Sequence, residues 1–134
     1  MTIFAKGANT RSQMRALAES GYQTVGLDWG ITARQARAYL REEPACPVVA
    51  LQGNLDPAIL VSGREAIERE VRNLVNGPDG FLTVAREGIE GGWIFNLGHG
   101  ITPGVNPEDL RFCLERLHAE AAESTKKAAA KSQS

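Results

Sequence analysis

The chain has 134 residues, of which 43% are hydrophobic and 23% charged, and its formal net charge is −1. This length fits one ordinary domain, and this composition is typical of a globular protein rather than a disordered one. Because 15 basic residues balance 16 acidic ones, no charged field favours nucleic acid or an anionic membrane surface. We therefore expect neither partner, and no apolar run reaches the ~20 residues of a membrane-spanning helix.

Four short apolar runs, taken in chain order, predict four strands near residues 2–6, 24–28, 48–52 and 93–97. None of these runs alternates strictly between apolar and polar residues. Each therefore predicts a strand buried on both faces, as in a parallel sheet covered by helices.

Helical patterns follow each predicted strand. The first helix is predicted from about Thr10 to Ser20, and the second begins with a capping box at Thr32–Gln35. A second capping box at Ser62–Glu65 predicts the start of the third helix, and Asn106–Pro107 the start of the fourth. Residues 81–85 favour an additional short strand. We predict a domain over residues 1–122 and a flexible tail over 123–134.

The repeated strand–helix order predicts parallel strands joined by right-handed crossovers, which places the chain in the α/β class. Two architectures fit this order: a small open sheet, or part of a (β/α)8 barrel. Ligands of both collect at the C-terminal ends of the strands. Because the first strand is predicted so close to Met1, we expect that the chain is part of a longer protein.

Polar residues at the predicted strand ends are the candidates for a site. His99 lies between two glycines, which let the backbone approach a ligand closely and leave the imidazole unshielded. The alternative is a histidine satisfied by backbone groups of its own turn. The other candidates follow the strand ends in the same way and are Asp28, Asn54, Asp56 and Asn96.

Two of these carboxylates also have structural interpretations. Asp56 precedes Pro57, as a helix cap does. Asp28 could orient a neighbouring side chain or pair with Lys6 at the end of the first strand.

Cys46 and Cys113 form no CxxC or His-spaced pattern, so we predict reduced thiols and no metal site.

Four segments resemble the uroporphyrinogen decarboxylases in order and approximate spacing over about residues 1–120. They are IFAKG (3–7), VGLDW (25–29), LQGNLDP (51–57) and IFNLGHGITP (94–103). The resemblance implies four parallel βα units that form the C-terminal half of a (β/α)8 TIM barrel. It also implies a cofactor-free enzyme, homodimeric at full length, in the cytoplasm, or in a plastid if a transit peptide lies upstream.

The reaction implied by this resemblance removes the four acetate carboxyls of uroporphyrinogen III and gives coproporphyrinogen III in haem and chlorophyll biosynthesis. His99 falls on the substrate-contacting histidine of the family. The family's arginines, its pyrrole-binding aspartate, and a tyrosine and a serine would belong to a part that this chain lacks. We therefore expect a fragment with little decarboxylase activity alone.

Two segments depart from the family pattern, and two other functions stay open. Residues 76–92 are longer than expected before the last strand, and Pro44–Pro47 looks inserted. One alternative function is a related corrinoid-linked methyltransferase, which the absence of a Cys/His zinc pattern and the presence of NLGHG disfavour. The other is a non-catalytic half-barrel that self-associates, since open strand edges promote pairing.

Overall fold

Four parallel strands form the single sheet of the computed structural model, which describes residues 1–41, 46–89 and 91–132. The strands are β1 (Thr2–Phe4), β2 (Thr24–Gly26), β3 (Ala50–Gln52) and β4 (Trp93–Ile94). They lie side by side in chain order, and each pairs in parallel with the next. The predicted α/β arrangement is confirmed, with strands shorter than the apolar runs that predicted them.

Within the described ranges, five α-helices and one short 3₁₀ helix connect and follow these strands. The α-helices are α1 (Arg11–Glu19), α2 (Ala33–Arg41), α3 (Arg64–Asn76), α4 (Phe81–Arg86) and α5 (Pro107–Ser132), and the 3₁₀ helix spans Pro57–Val61. Asn106 accepts the backbone N–H of Glu108 at 3.0 Å ahead of α5, as predicted.

Capping boxes begin α1 and α2; the one at α2 was predicted, whereas the one at α1 was not. At α1 the Thr10 hydroxyl accepts the N–H of Gln13 while the Gln13 amide oxygen accepts the N–H of Thr10. Thr32 and Gln35 make the same two bonds at α2, each at 3.1 Å. Each box satisfies two backbone donors that a helix start leaves unpaired.

The predicted capping box at Ser62–Glu65 is wrong. The hydroxyl of Ser62 donates to the carbonyl of Ala58 at 2.8 Å, so it closes the 3₁₀ helix instead of opening α3. Gly63 precedes α3 and caps it with no side chain.

Residues 81–85 form helix α4, so the additional strand predicted there is wrong. Phe81 and Val84 are the buried residues of this helix, and their spacing of three puts both on one helical face. Short apolar runs do not separate strand from helix by periodicity alone.

Further along, α5 continues to Ser132, and the boundary at residue 122 and the mobility of the tail stay predictions. Of the inserted segment, residues 44 and 45 lie outside the described residues.

The helices pack against one face of the sheet. The row of paired strand residues that faces the helices consists of Ile3, Val25, Leu51 and Trp93. The row on the opposite face is Phe4, Gly26, Gln52 and Ile94. Val25 and Leu51 are fully buried, whereas Phe4 and Ile94 are about half exposed. One covered and one uncovered face are the geometry of half of a (β/α)8 barrel, in which helices surround the strands.

A buried arginine joins the N-terminal ends of β3 and β4. Arg37 of α2 donates to the carbonyl of Val49 at 2.7 Å and to that of Gly92 at 3.0 Å. A side chain on Gly91 would collide with its guanidinium group. Burial lowers the pKa of Arg37, and the two carbonyls provide the hydrogen bonds that a buried cation requires.

The long crossover between β3 and β4 is anchored by a second arginine of α2. Arg34 forms ion pairs with Asp79 at 2.9 Å and with Glu87 at 2.7 Å. These groups are substantially exposed, so each pair contributes little by itself. Among the helices that the structure describes, none is long and apolar enough to cross a bilayer.

Candidate functional site

A cavity of about 520 Å³ opens at the C-terminal ends of the strands. This edge is where parallel sheets bind ligands, and the volume lies in the range of small-molecule sites. Its apolar wall includes Phe4, Leu27, Leu97 and Ile101. Its polar side chains are Gln52, Asn96 and His99.

The backbone before His99 is held by contacts with two other strand-end segments. Gly98 is buried, and its N–H donates to the carbonyl of Leu55 at 2.8 Å. A Cβ atom on Gly98 would lie 2.5 Å from the backbone nitrogen of Trp29. Only glycine therefore allows this approach, and the close contact at Gly98 is to the protein's own backbone. A Cβ atom on Gly100 would meet nothing.

The imidazole of His99 is exposed at the cavity. Within the described residues, no hydrogen bond or ion pair involves this side chain. A turn histidine would be satisfied by backbone groups, and no such bond occurs in this part of the chain. Both imidazole nitrogens are therefore available to a ligand, and substrate contact stays a prediction.

Asp28 organises loops and does not line the His99 cavity. Its carboxylate is largely buried and accepts the backbone N–H groups of Gly7 and Gly30, each at 3.0 Å. The ion pairs among the described residues do not include one between Asp28 and Lys6. Asp28 thus joins the loop after β1 to the loop after β2.

Asn54 and Asp56 lie at a different cavity from His99. The amide of Asn54 donates to the carbonyls of Asp28 at 2.8 Å and Ile31 at 2.5 Å. Asp56 accepts the N–H of Ala58 at 2.9 Å, which confirms its interpretation as a helix cap. Both residues line a cavity of about 410 Å³ that includes residues of α3.

Of the four candidates that accompanied His99, only Asn96 shares its cavity. The sequence reasoning also missed Gln52, which lines the cavity at the end of β3. A signal existed, because alternate residues of a strand face opposite sides. Gln52 is adjacent to the apolar Leu51 and therefore faces away from the helices.

The two cavities differ in charge. The cavity of about 410 Å³ is lined by the carboxylates of Asp56, Glu70 and Asp79. Among the described residues, no carboxylate lines the His99 cavity. At the first cavity Asp79 is paired with Arg34 and Glu70 with Arg69, whereas a ligand that carries carboxylates meets neutral donors or a histidine at the second.

Comparison with known proteins identifies the family of the chain. Residues 1–120 match the family described as Uroporphyrinogen decarboxylase (URO-D). The uroporphyrinogen decarboxylase of Schizosaccharomyces pombe is 42% identical over 118 residues, which cover 88% of this chain and 29% of the relative. That of Saccharopolyspora erythraea is 41% identical over 119 residues, which cover 87% of this chain and 30% of the relative. The chain thus spans less than a third of the length of these relatives.

Proposed function

The chain belongs to the uroporphyrinogen decarboxylase family, and on this premise we propose that it supplies the His99 wall of a decarboxylase site. The proposed reaction removes the four acetate carboxyls of uroporphyrinogen III and gives coproporphyrinogen III. One observation carries the proposal: the exposed His99, within the matched NLGHG motif, lines a cavity at the C-terminal ends of the strands to which the described residues contribute no carboxylate.

The chemistry requires a pyrrole ring that accepts electrons. Protonation of the ring at carbon makes it an electron sink, and the acetate C–C bond then breaks with loss of carbon dioxide to leave an exocyclic methylene group. A proton on the exocyclic carbon completes the methyl group, and loss of the proton from the ring carbon restores the aromatic pyrrole. His99 is suited to donating a hydrogen bond or moving a proton at a substrate carboxylate or ring carbon.

The protonated pyrrole also requires a nearby anion and groups that hold the other carboxylates. Asp28 is the buried carboxylate at the strand ends, but its oxygens are occupied by Gly7 and Gly30 and it does not line the cavity. The described cavity wall therefore lacks the anion that the reaction requires. We infer that the rest of the site comes from the part of the relatives that this chain does not span.

The finer properties that the resemblance implies stay predictions. These are a homodimer at full length, a cytoplasmic or plastid location, and the absence of a cofactor.

Activity should require the region that the chain does not span. Uroporphyrinogen III is incubated with the purified chain, with and without a separately produced N-terminal part of the S. pombe relative. The four-carboxylate product is quantified by chromatography after oxidation. We expect turnover only in the mixture, and robust turnover by the isolated chain would contradict the proposal.

A variant pair tests the role of His99 in the same mixture. His99→Ala should lower turnover without changing the far-ultraviolet circular dichroism, because its exposed side chain packs in no core. His118→Ala is the matched control, since His118 is exposed on α5 and does not line the cavity. Equal kinetics for both variants would remove His99 from the site.

Self-association is a second candidate function, and the uncovered sheet face favours it. Phe4 and Ile94 are 47% and 49% exposed on that face, where a partner would bury them. Sedimentation of the chain tests this function: a monomer at micromolar concentration contradicts it, whereas a dimer that Phe4→Ser dissociates supports it.

A further inference from the structure

Gln52 faces the His99 cavity from the uncovered side of the sheet. It shares the register row of Phe4 and Gly26, and it is half buried. Because Gly26 has no side chain, Phe4 lies over it, 3.1 Å from where a Cβ atom would be. No side chain of β2 therefore stands between Phe4 and Gln52.

A hydrogen bond fixes the orientation of the Gln52 amide. The hydroxyl of Thr2 donates to its Oε1 atom at 3.2 Å. No described residue accepts a hydrogen bond from its Nε2 atom. With the amide in this orientation the oxygen is bound by Thr2, and the N–H groups are left for a ligand.

Asn96 repeats this arrangement just after the neighbouring strand β4. The backbone N–H of Leu97 donates to its Oδ1 atom at 2.9 Å. Its Nδ2 atom, like that of Gln52, has no acceptor in the described part of the chain. Together with His99, two carboxamides therefore offer hydrogen-bond donors to one cavity, and no carboxylate occurs among its described lining residues.

We propose that Gln52 and Asn96 are positioning residues that bind carboxylates of the tetrapyrrole through their amide N–H groups. This inference rests on the proposed function and names the ligand groups that the cavity takes. Amide N–H groups donate to a carboxylate without adding a charge to the cavity.

The test measures porphyrin binding by the purified chain through fluorescence titration. One probe is coproporphyrin III, which carries four carboxylates, and the other is its tetra(methylamide), which has the same ring without them. Gln52→Glu replaces the donor by an acceptor, and Gln52→Met removes it without adding charge. Each variant should bind the tetracarboxylate at least about 10-fold more weakly and lose less affinity for the tetra(methylamide), because its uncharged carbonyls accept weaker hydrogen bonds than carboxylates do.

Gln23→Glu is the matched control, because Gln23 is exposed at the opposite end of β2 and bonds to the amino terminus. It should leave both affinities unchanged, and circular dichroism verifies that each variant is folded. If Gln52→Glu fails to fold, the affinities of Gln52→Met decide whether Gln52 binds a carboxylate.

The remaining outcomes separate this inference from the proposed function. Wild-type affinity of both Gln52 variants for the tetracarboxylate would overturn the inference and leave the proposed function standing. An equal loss of affinity for both probes would indicate a general change of cavity shape and would also overturn it. If the wild-type chain binds neither probe, the inference fails, whereas turnover by the mixture would still support the proposed function.

Discussion

Replacing Gly98 by alanine should disturb the site more than any other change of one carbon atom beside His99. The added Cβ atom would lie 2.5 Å from the backbone nitrogen of Trp29 and 2.8 Å from its Cα atom. Ordinary packing distances are about 3.5 Å, so one loop has to move by roughly 0.7–1 Å. Overpacking of this kind costs about 1–3 kcal/mol. A displacement of about 1 Å at a site can also lower catalysis by ~10²-fold.

Urea denaturation followed by circular dichroism measures the predicted loss of stability. The porphyrin titration measures the loss of affinity that a displaced His99 would cause. Gly100→Ala is the matched control on the other side of the histidine. A Cβ atom there meets nothing, and its backbone is outside the left-handed region, so its stability should stay within about 0.5 kcal/mol of wild type. Equal urea midpoints for the two variants would refute the close approach of Gly98 to Trp29.

Three further predictions concern the helical side of the fold. Arg37→Met should lower the free energy of unfolding by about 2–4 kcal/mol, because it leaves two backbone carbonyls without their donor. Arg34→Met removes exposed ion pairs and should lower it by about 1 kcal/mol or less. Equal losses of stability in urea denaturation would contradict this ranking. Burial raises the pKa of the Cys113 thiol to about 11, so iodoacetamide at pH 8 should modify it only after unfolding, and rapid modification of the native chain, seen by mass spectrometry, would contradict its burial. Burial opposes ionisation of Glu120, but hydrogen bonds from Asn76 and Arg72 outweigh it and lower the pKa of its carboxyl. The stabilising contribution of this carboxylate is thus present above the unfolded-state pKa and is lost as pH falls through the folded-state pKa. Glu120→Gln should therefore be less stable than wild type at pH 7, and the difference in unfolding free energy should narrow at pH 3; a constant difference would refute the lowered pKa.

The strands and two helix starts were predictable because the determining interactions are local. A buried strand needs only a short apolar run, and Thr10 with Gln13 forms both capping bonds within four residues. The Ser62 box has the same spacing and failed. Its hydroxyl bonds to Ala58 in the 3₁₀ helix that Asp56 caps, and the Ser62 spacing alone does not reveal that competing helix.

The site was predictable only in part, because the roles of polar residues depend on distant acceptors. His99 was placed by its motif and by the rule that ligands collect at strand ends. Asn54 was expected beside it, yet its amide is committed to carbonyls of the loop after β2. Arg37 gave no signal within α2, since the carbonyls that permit its burial lie 12 and 55 residues away.

The crossovers between neighbouring strands differ in length, and this difference changes the free energy of folding only slightly. The paired residues Thr2 and Thr24 are 22 positions apart (24 − 2), whereas Leu51 and Trp93 are 42 apart (93 − 51). The entropy of closing a flexible loop grows only with the logarithm of its length, so the longer closure costs only about 0.6 kcal/mol more than the shorter one. The crossover that holds α4 can therefore lengthen by many residues at little thermodynamic cost, while β3 and β4 keep their register at the cavity.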